Sequence, residues 1–213
     1  MSHILNDTAA HATIITDPAE ATDPLHLTAL AVAASHEARG WNKRPALYAL
    51  TGPDIASPIP DALPLPERLL QLAGGVTLAG GLLYALRCTG AEAADNWKTP
   101  WYGYAAVDEA FGLLGDVAER EAKARAAGRR RVPIADRPDR VEMRFVVLCT
   151  IQGRLVNVIQ RRNDGGTLLT EPHRDYVAAA RERSELTDLL CMCVDETLTI
   201  LTDAGIDPYT PRR

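Results

Sequence analysis

Val141-Glu142-Met143-Arg144-Phe145-Val146-Val147-Leu148-Cys149-Thr150-Ile151, followed by Gln152-Gly153 and then by Leu155-Val156-Asn157-Val158-Ile159-Gln160-Arg161-Arg162, is the stretch that decides the fold. Side chains alternate faces along a strand, so Val141, Met143, Phe145, Val147, Cys149 and Ile151 share one side. Gln152-Gly153 predicts a two-residue turn, with Gly supplying positive φ. That turn sets Val156 and Val158 opposite Cys149 and Val147. Val146, Leu148, Leu155 and Ile159 then line the second side, so it too is at least partly covered.

Outward from the hairpin, Asn163-Asp164-Gly165-Gly166 is a turn leading to a last helix over 176–204. Its inner stripe is Leu186, Leu189, Leu190, Cys193, Thr197, Ile200 and Leu201. Near the other end, Asp23 and Pro24 open a helix as N-cap and first helical residue, and Gly40 stops it. Leu27, Leu30, Ala31, Ala34 and Ala38 are its expected buried face. Ala46–Thr51 is a strand. Residues 52–66 hold five prolines and read as a surface connection, and a short helix follows over 66–72. The apolar run Leu82–Cys88 reads as a strand, with a buried helix as its alternative. Residues 105–127 read as a long helix closed by Gly128. The order predicts an α+β fold, with a mainly antiparallel sheet of about four strands packed by three to four helices. Residues 1–22 read as a flexible N-terminal arm, with a short strand as alternative, ahead of a single domain over 23–213.

Composition bounds function more than it assigns it. The chain has 213 residues, 46% hydrophobic and 24% charged, and a net charge of −5, which argues against nucleic-acid binding through the whole surface. Lys43, Lys98 and Lys123 are the only lysines; every other cation is Arg, and Ala is abundant, a bias of GC-rich coding. No run approaches the roughly 18 apolar residues of a membrane span. The N-terminus lacks the basic and apolar regions of a signal peptide. A cytoplasmic chain is expected, its four cysteines reduced.

The motifs that suggest chemistry dissolve on inspection. Cys191 and Cys193 point about 200° apart on a helix, so they cannot share an ion or a disulfide. His36 beside Glu37 does not face it, and the helix dipole accounts for a cation there. His173-Arg174-Asp175 matches a kinase catalytic loop in letters alone, with neither Gly-rich loop nor Asp-Phe-Gly. No phosphate loop, nucleophile elbow or metal spacing occurs. No catalytic residue, metal or cofactor is indicated.

Two features have the character of binding surfaces. Trp97-Lys98-Thr99-Pro100-Trp101-Tyr102-Gly103-Tyr104 concentrates aromatics in a chain with only 5% of them. Trp and Tyr dominate binding hot spots, and the alternative is that these rings cap the core. Arg129–Arg131, Arg137, Arg140, Arg144, Arg161 and Arg162 form the second: Arg144 paired with Arg161 across the hairpin gives a basic edge able to grip phosphate or carboxylate.

Gly40-Trp41-Asn42-Lys43-Arg44-Pro45-Ala46-Leu47-Tyr48-Ala49-Leu50 resembles the Gly-Trp-Asp-x-Pro-Pro-Arg-Leu-Tyr-Ala-Leu stretch of a group of uncharacterised actinobacterial proteins. That group also has a hairpin with Asp-Arg and a further Arg, an apolar strand, a Gly turn and an Arg-ended return strand. Asp139-Arg140 and Arg144, through Gly153 to Arg161-Arg162, is similar to it. The chain departs at Asn42, Arg44 and Ala46. The resemblance implies a source in an actinobacterium or its phage and a related fold; it implies no catalytic residue.

Three functions follow as expectations. The first is a non-enzymatic, regulatory protein-binding module, acting on a protein partner or as a homodimer. Trp41, Lys43, Arg44, Trp97, Trp101, Tyr102 and Tyr104 would be its contact surface. The second is an enzyme or small-molecule binder, its pocket between sheet and helices and its polar groups Arg144, Arg161, His173 and Glu37. The third and weakest is nucleic-acid binding by the Arg-rich hairpin.

Overall fold

The structure, a computed structural model, describes residues 12–15, 21–63, 78–94, 97–113, 115–128, 132–163, 165–172 and 185–210. Its strands are β1 Ala12–Ile15, β2 Ala46–Thr51, β3 Ile59–Ala62, β4 Trp101–Gly112, β5 Val141–Thr150, β6 Leu155–Arg161 and β7 Thr167–Pro172. Its helices are α1 Pro24–Glu37, α2 Leu78–Ala94, α3 Gly115–Ala126 and α4 Glu185–Asp203, with a 3₁₀ turn at Ile134–Asp136. The strands join in one seven-stranded sheet of order β1-β7-β6-β5-β4-β2-β3. Every pairing is antiparallel.

The hairpin forms with a longer turn than Gln152-Gly153 predicts. Thr150 N–H donates to Arg154 O at 3.0 Å, and Gly153 N–H donates to Thr150 O at 2.9 Å. Gly153 takes the left-handed conformation, φ 79°, that closes such a turn. The extra loop residue moves the register by one, so Leu155 faces Cys149, Val156 faces Leu148 and Val158 faces Val146. A one-residue slip exchanges the two sides of a strand. Leu155 therefore joins Val147 and Cys149 on one side, and Val156 and Val158 join Val146 and Leu148 on the other.

Helix α1 covers one face of the sheet; α2 and α4 cover the other. The sequence reading of α1 is right about its cap and wrong about its face. Asp23 Oδ1 accepts from Leu25 N at 2.9 Å and His26 N at 3.4 Å. The buried residues are Leu25, His26, Thr28, Ala29, Val32, Ala33 and His36, whereas Leu27 is 49% exposed. Apolar residues encircle this helix, so spacing alone does not select a side. The two histidines mark the buried one, because each has a partner there.

The sheet exceeds the expected four strands for separate reasons. Strand β3 lies inside the proline-rich connection; Pro60 is tolerated because, among the described residues, β3 pairs with β2 alone, at an edge. Strand β7 follows the Gly165-Gly166 turn where the lead-in to a helix was expected, and α4 is described from Glu185. Strand β1 realises the alternative reading of the arm. Residues 105–112, expected as the start of a helix, belong to β4, and the helix is confined to Gly115–Ala126. Ala105-Ala106 favours a helix locally, but β4 hydrogen-bonds to β2 and β5 and is buried on both faces, which overrides that preference. Leu82–Cys88 takes the alternative reading and lies within α2. Gly90 of α2 lets α4 approach: a Cβ there would sit 2.2 Å from Ile200 Cδ1. The expected helix over 66–72 lies outside the described residues.

Candidate functional site

The loop after α1 and the β5–β6 hairpin meet in space at Arg144. This side chain is fully buried on the α1 face of β5. Its Nε and Nη2 donate to Glu109 Oε1 at 3.1 and 2.7 Å, Nη2 also to Gly40 O at 2.7 Å, and Nη1 to Gln160 Oε1 at 3.3 Å. Its guanidinium lies 4.5 Å from the centre of the Trp41 ring. The other Glu109 oxygen accepts from Asn42 N at 2.7 Å and Lys43 N at 3.2 Å. Gln160 Nε2 donates to Glu37 Oε2 at 3.2 Å. Here an arginine fork holds the end of α1 and the following loop onto the sheet. With no exposed surface, Arg144 is out of reach of any ligand.

The expected basic edge is therefore absent from the hairpin. Arg144 stands opposite Gln160, and Arg161 stands opposite Met143 on the other side. Arg162 Nη1 donates to Glu142 Oε2 at 2.7 Å. Arg137 bonds Asp139 and Glu121, and Arg140 lies 4.7 Å from the centre of the Phe111 ring. Arg129–Arg131 lie outside the described residues.

The aromatic segment is likewise core. Trp101, Tyr102 and Tyr104 are 1–3% exposed. Trp97 and Trp101 meet edge to face at 5.8 Å, and Trp101 lies 5.0 Å from Tyr104. Tyr104 OH hydrogen-bonds Thr197 Oγ1 at 2.9 Å, and burial pushes its phenol well above the ordinary tyrosine range. Tyr102 OH donates to Gly52 O at 2.7 Å. These rings, expected as a contact surface, pack against α4, α2 and the β2–β3 side of the sheet. Trp41 and Trp97 are half-buried; only Lys43 and Arg44 of the expected contact set are exposed.

A second polar cluster closes the N-terminal end of α1. Arg154 Nε and Nη2 donate to the two Glu171 oxygens at 2.7 and 2.9 Å, and Nη2 donates to Asp23 Oδ2 at 3.1 Å. His26 Nε2 lies 2.7 Å from Glu171 Oε2. Burial pushes the Glu171 carboxyl up, but Arg154 and His26 together outweigh it and leave it below its usual range. At the other end of the helix, His36 Nε2 hydrogen-bonds Tyr48 OH at 2.7 Å. Burial, with Arg39 and Arg144 nearby, pulls the imidazole below its ordinary value. It is held neutral, so the dipole reading of a cationic His36 is replaced by a core hydrogen bond.

On the opposite face, between β4–β6 and the first turn of α4, lies a cleft of about 490 Å³ including its mouth. Only about 30 Å³ of it is enclosed, room for about two water molecules, and the rest opens to solvent. Its walls are apolar: Ala110, Phe145, Val147, Ile159 and Leu186. Asp108, Asn157 and Thr187 are the polar groups along it. Asn157 is 7% exposed, and its Oδ1 is buried without a hydrogen-bond partner. Burial raises the Asp108 carboxyl; the Glu109 backbone N–H it accepts opposes this, and the Glu109 carboxylate adds to it. A buried orphan polar atom costs on the order of 1–3 kcal/mol; His26 Nδ1, Trp97 Nε1 and Trp101 Nε1 are in the same state, and Asn157 Oδ1 is the one of them that belongs to the cleft lining.

The polar groups expected at a pocket do not line this one. Arg144 and Glu37 join the clamp on the α1 face, Arg161 is on the other side, and His173 lies outside the described residues. Asn157 carried a signal in the sequence, a lone amide among Leu155, Val156, Val158 and Ile159. Asp108 carried none, because its segment read as a helix. Among the described residues no three His, Cys, Asp or Glu side chains gather as a metal set, and no helix is long and apolar enough to cross a membrane. No protein-family model matches the chain, and no curated protein or solved structure matches it.

Proposed function

We propose that this chain is a non-enzymatic binding module whose open cleft beneath the start of α4 takes one end of a small, largely apolar molecule bearing a hydrogen-bond donor. The observation that carries this reading is the unpartnered Asn157 Oδ1 on a mostly apolar wall. Asn157 keeps 7% of its surface open, and a ligand N–H or O–H that displaces the cover over its buried oxygen supplies the missing bond, while Phe145, Val147 and Leu186 contact its apolar end. Asp108, on the neighbouring strand but one, offers a second acceptor when ionised.

Phenethylamine, benzyl alcohol and phenylacetate test this, because they share a ring and differ in the head group. Backbone amide shifts followed by NMR on titration should move at Asn157, Asp108 and Thr187 with the amine and the alcohol. The carboxylate, which brings only acceptors, should leave them in place. Shifts that are absent for all three, or strongest for phenylacetate, would remove the reading.

A further inference from the structure

The sulfur atoms of Cys149 and Cys191 lie 3.4 Å apart, one on β5 and one on α4. Cys193, two residues on, turns away and donates to Ala79 O at 3.3 Å, and burial pushes its thiol up to about 12. Cys88 is exposed, on α2. Cys191 is half-buried, so a small oxidant reaches it, whereas Cys149 is sealed within the core. A disulfide needs its sulfurs about 2.05 Å apart, so the pair is roughly 1.4 Å short of bonding. A helix held to the sheet by side-chain packing can move by that much.

We propose that Cys149 and Cys191 form a site of oxidative modification, closed by hydrogen peroxide into a disulfide that fastens α4 to β5. The Cys191 thiolate attacks the peroxide, breaks its O–O bond and becomes a sulfenic acid; the departing hydroxide takes up a proton and leaves as water. The Cys149 sulfur then attacks the sulfenic sulfur. The S–S bond forms, the S–OH bond breaks, and a second water leaves carrying the Cys149 proton. The two thiols lose two electrons together and hydrogen peroxide gains them. The new loop spans 42 residues of sequence, long enough for the cross-link to restrict the unfolded chain substantially. Because Leu186 and Thr187 of α4 and Phe145 and Val147 of β5 line the cleft, the bond would also fix two of its walls relative to each other.

The test uses the full chain with Cys88→Ser, so that the exposed thiol cannot pair between molecules. Hydrogen peroxide should remove the two thiol hydrogens from the intact mass, and a non-reducing peptide map should join the Cys149 and Cys191 peptides. The melting temperature should rise by roughly 5–10 °C and return on reduction. Adding Cys191→Ser, at a half-buried position, should abolish both the cross-link and the rise. Cys191 oxidised to sulfinic acid without a cross-link, a Cys191–Cys193 pairing, or a cross-link that lowers the melting temperature would each overturn the proposal.

Discussion

Arg144 and Asn157 stand three rungs apart on the hairpin and represent opposite states of a buried polar group. Arg144 finds a carboxylate, a carbonyl and an amide, and so organises the loop after α1. Arg144→Ala leaves Glu109 and Gly40 O without their partner and should cost about 3–5 kcal/mol, read from the urea midpoint. Arg144→Lys should recover only part of this, because an ammonium cannot span the same acceptors in one plane. A loss below about 1 kcal/mol for the Ala variant would show that the fork is dispensable. Asn157→Val does the reverse: it removes an unpartnered oxygen from an apolar wall and suits a strand. It should raise stability by about 1–2 kcal/mol and erase the response to benzyl alcohol. A destabilised Asn157→Val would mean that the amide is already engaged.

Elements are where sequence and structure part company, and the reasons are local. The β5–β6 hairpin was legible because its alternation is long and its turn carries Gly; its register was not, because two-residue and three-residue turns both place Gly near the tip. The buried side of α1 was hidden because the helix is apolar all round. Strand β4 was hidden because its alanines and acids suit a helix, and only its neighbours make it a strand. Gly103 was the one clue to β4. Its φ of 146° and the register shift between Leu50 and Thr51 mark a bulge, and a Cβ there would sit 2.1 Å from Cys149 O. Gly103→Ala should therefore cost more than about 3 kcal/mol, since backbone must move. Gly112→Ala, whose Cβ meets only the end of the Met143 side chain, should cost roughly 1 kcal/mol. Thermal unfolding of the two variants separates them, and equal losses would refute the bulge. Of the cleft, the sequence reading passed over Asn157, although an amide among apolar neighbours was a signal; Asp108 became a cleft residue only once β4 was seen as a strand.

For the whole molecule, pH reports on both helix ends and the cleft at once. His36, held below 6.5, supports the fold fully above that value and loses its contribution as pH falls through its lowered folded value. Glu171 and Asp23, held below 4.5 and 3.8, act in the same sense at lower pH: their contributions are intact above those values and fade as pH falls through their folded ones. Asp108 runs the other way, its contribution complete below 3.8 and lost as pH rises through its raised value. Urea midpoints should thus fall in stages from about pH 6.5 downward, and His36→Gln should flatten the first stage while leaving the later one. A midpoint indifferent to pH between 7 and 5, on the scale of the ordinary histidine range, would contradict a neutral buried His36.

The sheet's outer edge carries a consequence for how the chain is made. Ala12 pairs with Pro172 and Ile15 with Leu169, so β1 leaves the ribosome long before the strand that receives it. At about 5–20 residues per second, that is a delay of roughly 8–30 s. Throughout it, β1 is an unclaimed ribbon among neighbouring nascent chains, and the β7 that captures it need not belong to the same polypeptide.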